Sequence, residues 1–292
     1  MNNEQLKITE SPRDAQQGLP FMIPVETRAA YINELMSAGF DVIDFGSFVS
    51  PKAVPQMAHS DEVLELIDKS KSGTQLLAIV GNTRGAEEAC ASAKLDIIGF
   101  PYSISNTFLE RNINSSIAKV DETASAIGKI CSNQLKAYRV FVSMAFGNPY
   151  GDAWNIALVK DCVEKLAGSG VQTITLSDTI GLATATSIRE IFETVMPLYP
   201  DIEIGLHIHT QHHNWREKID AAWKAGCRSY DGVINGIGGC PMTGYELLGN
   251  LNTLDLLSYF EEEHIAHRLD DALIKDIASR YGTFSNDKSH QI

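Results

Sequence analysis

The sequence predicts a single (β/α)8 barrel, and three observations lead to this fold class. Strand-like segments alternate with segments of helical periodicity about eight times along the chain. The strand-like segments are short and either apolar or alternating in polarity. No linker or low-complexity block interrupts the 292 residues. Alternating strands and helices imply parallel pairing, and a chain of this length suits one large barrel of the TIM type.

The predicted strands are apolar runs bounded by glycine, proline or polar residues, at 6–9, 41–45, 75–80, 96–100, 135–144, 171–176, 201–209 and 229–234. The predicted helices have apolar residues three and four positions apart, at 26–38, 59–69, 85–93, 116–130, 155–166, 184–196, 215–225, 251–261 and 270–280. We therefore expect one domain over 1–292. Its barrel core covers about 6–262, and a short C-terminal helix and tail cover 263–292.

A doubly wound open sheet is the alternative arrangement of the same elements. Its dinucleotide-binding form carries Gly-x-Gly-x-x-Gly after the first strand, and no such motif follows residues 6–9. The barrel is therefore the preferred prediction.

Composition narrows the function classes. With 24 Lys and Arg against 37 Asp and Glu, the net charge is −13, which argues against nucleic acid as a partner. No apolar run approaches the ~20 residues of a membrane span. The N-terminus lacks a signal pattern, and the five cysteines include no Cys-x-x-Cys pair. These features favour reduced thiols in the cytoplasm.

The seventh predicted strand ends in two histidines, His207 and His209. Residues i and i+2 of a strand point to the same side, so both imidazoles can reach one divalent ion. Imidazole suits Zn, Mn, Fe or Co. The alternative is a pair of hydrogen-bonded histidines with no ion.

Other polar residues follow the strand ends, where a (β/α)8 barrel builds its active site. They are Arg13, Asp14, Asp44, Ser47, Asp178, Thr179, Cys240 and Asn250. Taken singly, Asp14 or Asp178 could cap a turn or a helix, and a lone cysteine is usually a small buried residue. Taken together, a carboxylate and two imidazoles at one barrel mouth predict a divalent-metal site with open positions.

Arg13 and Cys240 are the residues from which we predict the type of reaction. Arg13 supplies a fixed cation beside Asp14, which suits a reaction that turns a carbonyl oxygen into an enolate. Cys240 lies among several glycines, and a mobile thiol there could act as an acid or base. A tight turn is the alternative for that segment.

Six segments carry a resemblance to a known family: 11–14, 46–57, 112–114, 176–181, 207–209 and 236–241. With them the chain resembles the hydroxymethylglutaryl-CoA lyases, within a larger group of metal-dependent acyl-CoA and 2-oxoacid lyases and synthases. The matches run from about residue 6 to 260. The Ser-Phe-Val-Ser-Pro-Lys and Gly-Gly-Cys-Pro stretches are the most specific to the lyases.

The resemblance implies cleavage of 3-hydroxy-3-methylglutaryl-CoA to acetyl-CoA and acetoacetate, with Mg²⁺ or Mn²⁺ and a homodimeric assembly. It implies Asp14, His207, His209 and Asn250 as metal ligands. It implies catalytic roles for Arg13, Cys240, Asp178 and Asp44: Arg13 for the enolate, Cys240 as mobile thiol, Asp178 for the hydroxyl proton, and Asp44 in place of a family Glu. Gln17 matches a family residue near the substrate, and Ser47 and Thr179 are further candidate substrate contacts.

Several positions depart from the family pattern. Thr210 stands where Asp usually follows His-x-His, and Thr9, followed by Glu10, stands where the family has Glu. The segment 242–250 is bulkier and one residue longer. These departures leave another hydroxyacyl-CoA, or condensation of acetyl-CoA with a 2-oxoacid, as the alternative function. A catalytically silent metal-binding barrel is a further alternative.

Overall fold

The computed structural model describes residues 5–70, 72–238 and 249–281. Eight parallel strands form a closed barrel in chain order, and the last strand pairs with the first. Helices alternate with the strands along the chain and pack outside the barrel. The predicted (β/α)8 fold is confirmed.

The strands are β1 Lys7–Glu10, β2 Val42–Phe48, β3 Gln75–Val80, β4 Ile97–Ser103, β5 Ala137–Ser143, β6 Thr173–Asp178, β7 Glu203–Ile208 and β8 Ser229–Gly232. The helices are α1 Pro12–Gln16, α2 Val25–Ser37, α3 Ser60–Leu66, α4 Thr83–Cys90, α5 Asn106–Ile113, α6 Ile117–Asn133, α7 Ile156–Ala167, α8 Ala185–Val195, α9 Trp215–Lys224, α10 Thr253–Glu262 and α11 Asp271–Arg280. Among the described segments, no helix has both the length and the apolar character to cross a membrane.

Strand alternation divides the core into two layers. Val42, Leu77 and Ile97 form a small apolar cluster that is separate from the larger cluster between the strands and the helices. On β6, Thr175 accepts a hydrogen bond from Arg139, which also reaches β1 and β8 across the barrel interior. Because side chains alternate along a strand, Ser177 shares this inner face with Thr175.

Three local predictions differ from the structure. The prediction missed α5, a helix of only eight residues that begins where the Ser105 hydroxyl accepts from the Phe108 amide at 3.1 Å. Residues 12–16, which follow the first predicted strand and carry no predicted helix, form the short helix α1. Pro12 can start it because the first position of a helix needs no amide hydrogen. Strand β5 starts at Ala137, because Leu135 takes a left-handed φ of 55°.

Candidate metal centre

Three predicted metal ligands come together at the C-terminal rim of the barrel. Asp14 lies in α1, directly after β1, and His207 and His209 lie at the end of β7. One ligand atom from each residue lies within 4.8 Å of the others. One carboxylate oxygen and two imidazole nitrogens at this separation form a mixed donor set for one divalent ion.

Asn250, the fourth predicted ligand, lies beside this group. It forms an antiparallel bridge with His209, and its Nδ2 donates to the Ile237 carbonyl at 3.0 Å. Its Oδ1 is buried and has no hydrogen-bond partner among the residues that the structure describes. An amide oxygen is an ordinary ligand for Mg²⁺ or Mn²⁺, so the residues present fit such an ion.

Arg13 is fixed at the same place by two carboxylates and an amide. Its Nε and Nη2 donate to Asp44 Oδ2 at 3.0 and 2.5 Å. Its Nη1 donates to Asp14 Oδ1 at 2.9 Å and to Gln17 Oε1 at 3.1 Å. Burial opposes the charge of Arg13, but Asp44 and Asp14 outweigh it and raise its pKa. The guanidinium is therefore a permanent, oriented cation beside the candidate ligands.

The pKa values of the two carboxylates of this group are shifted in opposite directions. Burial tends to raise the pKa of Asp14, but Arg13 and the two histidines outweigh it and hold that pKa below its ordinary value. Burial raises the pKa of Asp44 in spite of Arg13. Asp14 is therefore ready to bind a cation in its ionised form. Gln17 contributes to its orientation, because Gln17 Nε2 donates to Asp14 Oδ1 at 2.6 Å.

His207 is supported from inside the barrel by a network that the sequence reasoning missed. Its Nδ1 lies 3.3 Å from Asp231 Oδ2, and its Nε2 lies 3.8 Å from Asp14 Oδ2. Asp231 pairs with Arg139, which donates to Thr9 and Thr175 at 2.9 and 2.8 Å. A carboxylate on the second ring nitrogen fixes a metal-binding histidine in orientation and tautomer.

A signal for this network existed in the sequence. Arg139 is a charged residue in the middle of an apolar predicted strand, and Asp231 lies in another. Buried charges in strands are normally paired, so the two residues could have been assigned to each other.

The pKa values of the two imidazoles are also shifted in opposite directions. Burial lowers the pKa of His207, but the hydrogen bond with Asp231 and the charge of Asp14 outweigh it, so that pKa is raised. Burial and the neighbouring His207 lower the pKa of His209 to about 4. His209 is therefore neutral at pH 7, the form in which imidazole binds metals.

Asp178 and Thr179 lie at the end of β6 but contact other parts of the rim. Asp178 Oδ2 accepts from the Ala183 amide at 3.0 Å and from Lys218 Nζ of α9 at 3.3 Å. Burial raises the pKa of Asp178. Thr179 Oγ1 accepts from the Met144 amide at 3.0 Å. Asp178 faces the helix layer, opposite Ser177, so its role in proton removal and the substrate contact of Thr179 stay predictions.

Several buried polar atoms at the rim lack partners in the described part of the chain. Besides Asn250 Oδ1, they are Asp44 Oδ1, Ser47 Oγ and Ser177 Oγ. Such atoms are rare in folded proteins, and their concentration beside a metal-ligating group indicates a ligand site. Ser47 was predicted as a substrate contact, whereas Ser177 was not singled out. Cys240 lies outside the described residues.

Comparison with known proteins agrees with the resemblance seen in the sequence. The HMGL-like family model matches residues 5–280. The chain is 32% identical over 255 residues to the mitochondrial hydroxymethylglutaryl-CoA lyase of Mus musculus, covering 87% of this chain and 78% of the relative. It is 30% identical over 262 residues to the (R)-citramalyl-CoA lyase of Chloroflexus aurantiacus, covering 87% and 82%.

Solved structures agree with these relatives. An HMG-CoA lyase from Acinetobacter baumannii, in complex with coenzyme A and 3-methylmalate, superposes with a TM-score of 0.88 at 28% identity, over 96% of this chain and 90% of that chain. The HMG-CoA lyase of Brucella melitensis gives 0.87 at 30% identity, over 94% and 97%. The protein is therefore an enzyme of the HMGL-like lyase family.

Proposed function

We propose that the protein is a divalent-metal-dependent carbon–carbon lyase that cleaves 3-hydroxy-3-methylglutaryl-CoA to acetyl-CoA and acetoacetate. The observation that carries this proposal is the group of Asp14, His207 and His209 with the Arg13 guanidinium bonded to Asp14. A metal group and a fixed cation in contact suit a reaction that breaks a bond next to a thioester and leaves an enolate.

Asp14, His207, His209 and Asn250 would hold Mg²⁺ or Mn²⁺. When bound, the ion supplies positive charge that polarises the hydroxy-acid part of the substrate. Asp231 and Arg139 keep His207 oriented for this task, since Asp231 occupies its second ring nitrogen.

Arg13 acts on the acyl-CoA part of the substrate. As the carbon–carbon bond breaks, its electron pair moves to the thioester and forms an enolate. The Arg13 guanidinium stabilises that negative charge without reorganising, because Asp44, Asp14 and Gln17 already hold it in place.

Two proton transfers complete the reaction. The substrate hydroxyl loses its proton as it becomes the ketone of acetoacetate. We assign the acceptor to Asp178, which takes the proton through one bridging water because its carboxylate is bonded to Lys218 on the helix side. The enolate gains a proton to give acetyl-CoA, and we assign the donor to the Cys240 thiol. Gln17, Ser47 and Thr179 are the proposed substrate contacts. Cys240→Ser should lower turnover while Mn²⁺ affinity is kept, and an unchanged rate would refute the role of the thiol.

The second candidate substrate is a citramalyl-CoA, whose cleavage would give acetyl-CoA and pyruvate. Two observations favour it: the identity to the Chloroflexus aurantiacus enzyme, and the shorter Asp44 where the hydroxymethylglutaryl-CoA lyases have Glu. Both reactions release acetyl-CoA, so the site chemistry is shared and only the hydroxy-acid fragment differs.

The test is a cleavage assay with both acyl-CoA substrates, each with Mg²⁺, with Mn²⁺ and with EDTA. Acetoacetate is expected from 3-hydroxy-3-methylglutaryl-CoA, and chelation should abolish its release. Release of pyruvate alone would transfer the proposal to the citramalyl-CoA reaction. No acetyl-CoA from either substrate, with Mn²⁺ bound, would refute the lyase proposal. Light scattering at several concentrations tests the homodimer that we also propose.

A further inference from the structure

Ser177 lies in an unusual position for a serine. It is buried and immediately precedes Asp178 on β6. Its strand partner in the sheet is His207, one of the candidate metal ligands. Paired positions on neighbouring strands lie about 5 Å apart. The Ser177 hydroxyl is therefore next to the metal group, on the opposite flank of His207 from Asp231.

The Ser177 side chain faces the barrel interior. Thr175, two residues earlier on the same strand, contacts Arg139 inside the barrel. A Cβ atom built on the neighbouring Gly205 would meet Thr175 Oγ1 at 3.3 Å and Ser229 Oγ at 3.1 Å, which places these side chains on one inner surface. Alternation along β6 gives Ser177 the same direction, one layer higher and at the barrel mouth.

The Ser177 hydroxyl is buried and has no hydrogen-bond partner within the described ranges. A buried hydroxyl without a partner lowers stability, so such a group is retained where a ligand supplies the partner. Two other serines of the strands, Ser103 and Ser229, do have partners, whereas Ser47 Oγ at the rim lacks one in the described ranges as Ser177 does. Ser103 Oγ donates to the Ser143 carbonyl at 3.1 Å, and Ser229 Oγ donates to Glu203 at 2.8 Å.

The two halves of the barrel mouth differ in charge. The half formed by β8, β1 and β2 holds the acidic side chains of Asp231, Asp14 and Asp44 together with Arg13. The half formed by β4, β5 and β6 ends in Ser103, Ser143 and Ser177, which we call the hydroxyl wall. Asp178 adds no acid to this inner surface, because it faces Lys218 on the helix side.

We propose that the Ser177 hydroxyl is a substrate-binding group that donates a hydrogen bond to the carboxylate of the hydroxy-acid fragment. Since β2 and β6 lie on opposite sides of an eight-stranded barrel, a substrate whose thioester lies near Arg13 directs its other end to the hydroxyl wall. A carboxylate there meets the Ser177 hydroxyl, whose proton is not committed to another described residue, and avoids the acidic half. This inference rests on the proposed function for its substrate class, a hydroxy acid linked to coenzyme A.

The experiment compares Ser177→Ala with Ser229→Ala, which removes a partnered inner-face hydroxyl at the other end of the barrel. Malate serves as a probe for the hydroxy-acid fragment, and its binding is measured by calorimetry with Mn²⁺ present. Ser177→Ala should weaken malate binding about tenfold or more, the effect of one hydrogen bond to a charged group. Its affinity for Mn²⁺ alone should not change, and its Tm should equal or exceed that of the wild type.

Ser229→Ala should show the opposite result, with a lower Tm and unchanged malate binding. The inference is overturned if Ser177→Ala keeps the malate affinity within twofold, if it only lowers the Tm, or if the wild type does not bind malate. Calorimetry also separates the two proposals. If neither acyl-CoA is cleaved while malate binding depends on Ser177, the proposed reaction fails and the carboxylate contact stands.

Discussion

The rim of the barrel and the interior directly below it differ in whether their buried polar groups have hydrogen-bond partners. Below the rim, Arg139 donates to Thr9, Thr175 and Asp231, and Asp231 also holds His207. At the rim, Asn250, Asp44, Ser47 and Ser177 each keep a buried polar atom without a partner in the described segments.

This difference separates the residues that support the site from the residues that are candidates for binding a ligand. A fully paired polar network in a low-dielectric interior is rigid and gains from each of its bonds. Unpaired buried atoms lower stability, so their concentration around Asp14, His207 and His209 marks the place where a ligand supplies the missing partners. Substitutions in the two regions should therefore have different effects on stability and on metal affinity.

The largest effect is expected for Asp14→Ala, which removes the carboxylate of the metal group formed by the described residues. We expect Mn²⁺ binding to be lost and turnover to fall by a factor of ~1,000 or more, because the reaction depends on positive charge at this place. Electron paramagnetic resonance of Mn²⁺ and the cleavage assay measure the two effects. Glu26→Ala, at an exposed position of α2, is the control. Retention of Mn²⁺ by Asp14→Ala would contradict the site.

The next largest effect is expected for Lys218→Met, on the helix side of the rim. Lys218 is 2% exposed and donates to Asp178 and to the His209 carbonyl at 3.0 Å. Removing one partner of a buried ion pair leaves an uncompensated charge, so the free energy of unfolding should fall by about 3–5 kcal/mol. Urea unfolding measures it. Adding Asp178→Asn should restore part of the loss, and purely additive effects would show that the two residues are not coupled.

A smaller effect is expected for Asp231→Asn, which changes the support and leaves the ligands intact. The amide cannot accept from both His207 and Arg139 as the carboxylate does. Loss of such a supporting carboxylate typically lowers metal affinity by a factor of ~10–100. Competition of Mn²⁺ with a fluorescent chelator measures the affinity. An unchanged affinity would mean that Asp231 supports the barrel but not the metal group.

The last effect, for Glu10→Gln, depends on pH: it is smallest near pH 5 and grows as the pH rises. Glu10 accepts from Thr253 and from the Ile234 amide at 2.6 and 2.7 Å, yet burial raises its pKa to about 8 from 4.5. Between these values the folded protein binds a proton that the unfolded chain releases. The stabilisation is complete below pH 4.5 and is lost as the pH rises to about 8, by roughly 1.4 kcal/mol per pH unit.

Gln is neutral at every pH, so Glu10→Gln should flatten this dependence. The test is urea unfolding of both proteins at pH 5, 6.5 and 8, with the difference between them as the measured quantity. Parallel curves across this range would contradict a buried, protonated Glu10.

The sequence was sufficient to predict the closed barrel and the meeting of Asp14 with His207 and His209. Strand alternation and the common end of parallel strands determine both, and neither requires knowledge of side-chain packing. Asp178 shows the limit of this reasoning. Its position at a strand end was predicted correctly. Its side chain, however, points to the opposite face of β6 from that of Ser177 and contacts Lys218 on the helix side.

The support network could not be assigned from local pattern alone. Arg139 is 130 residues from Thr9 and 92 residues from Asp231 along the chain. Only the closed barrel brings these residues together. The helix α5 was missed for a different reason: it is only eight residues long, and its start is marked by the capping side chain of Ser105.

The chain positions of the metal ligands have a consequence for how the protein is made. Asp14 belongs to the first β/α unit, the histidines to the seventh, and Asn250 to the segment before α10. During synthesis the donor set is therefore incomplete until nearly the whole barrel has emerged, because its most distant members must wait for each other. We therefore expect metal uptake to be a late event that requires the closed ring, so bound Mn²⁺ should report ring closure during refolding.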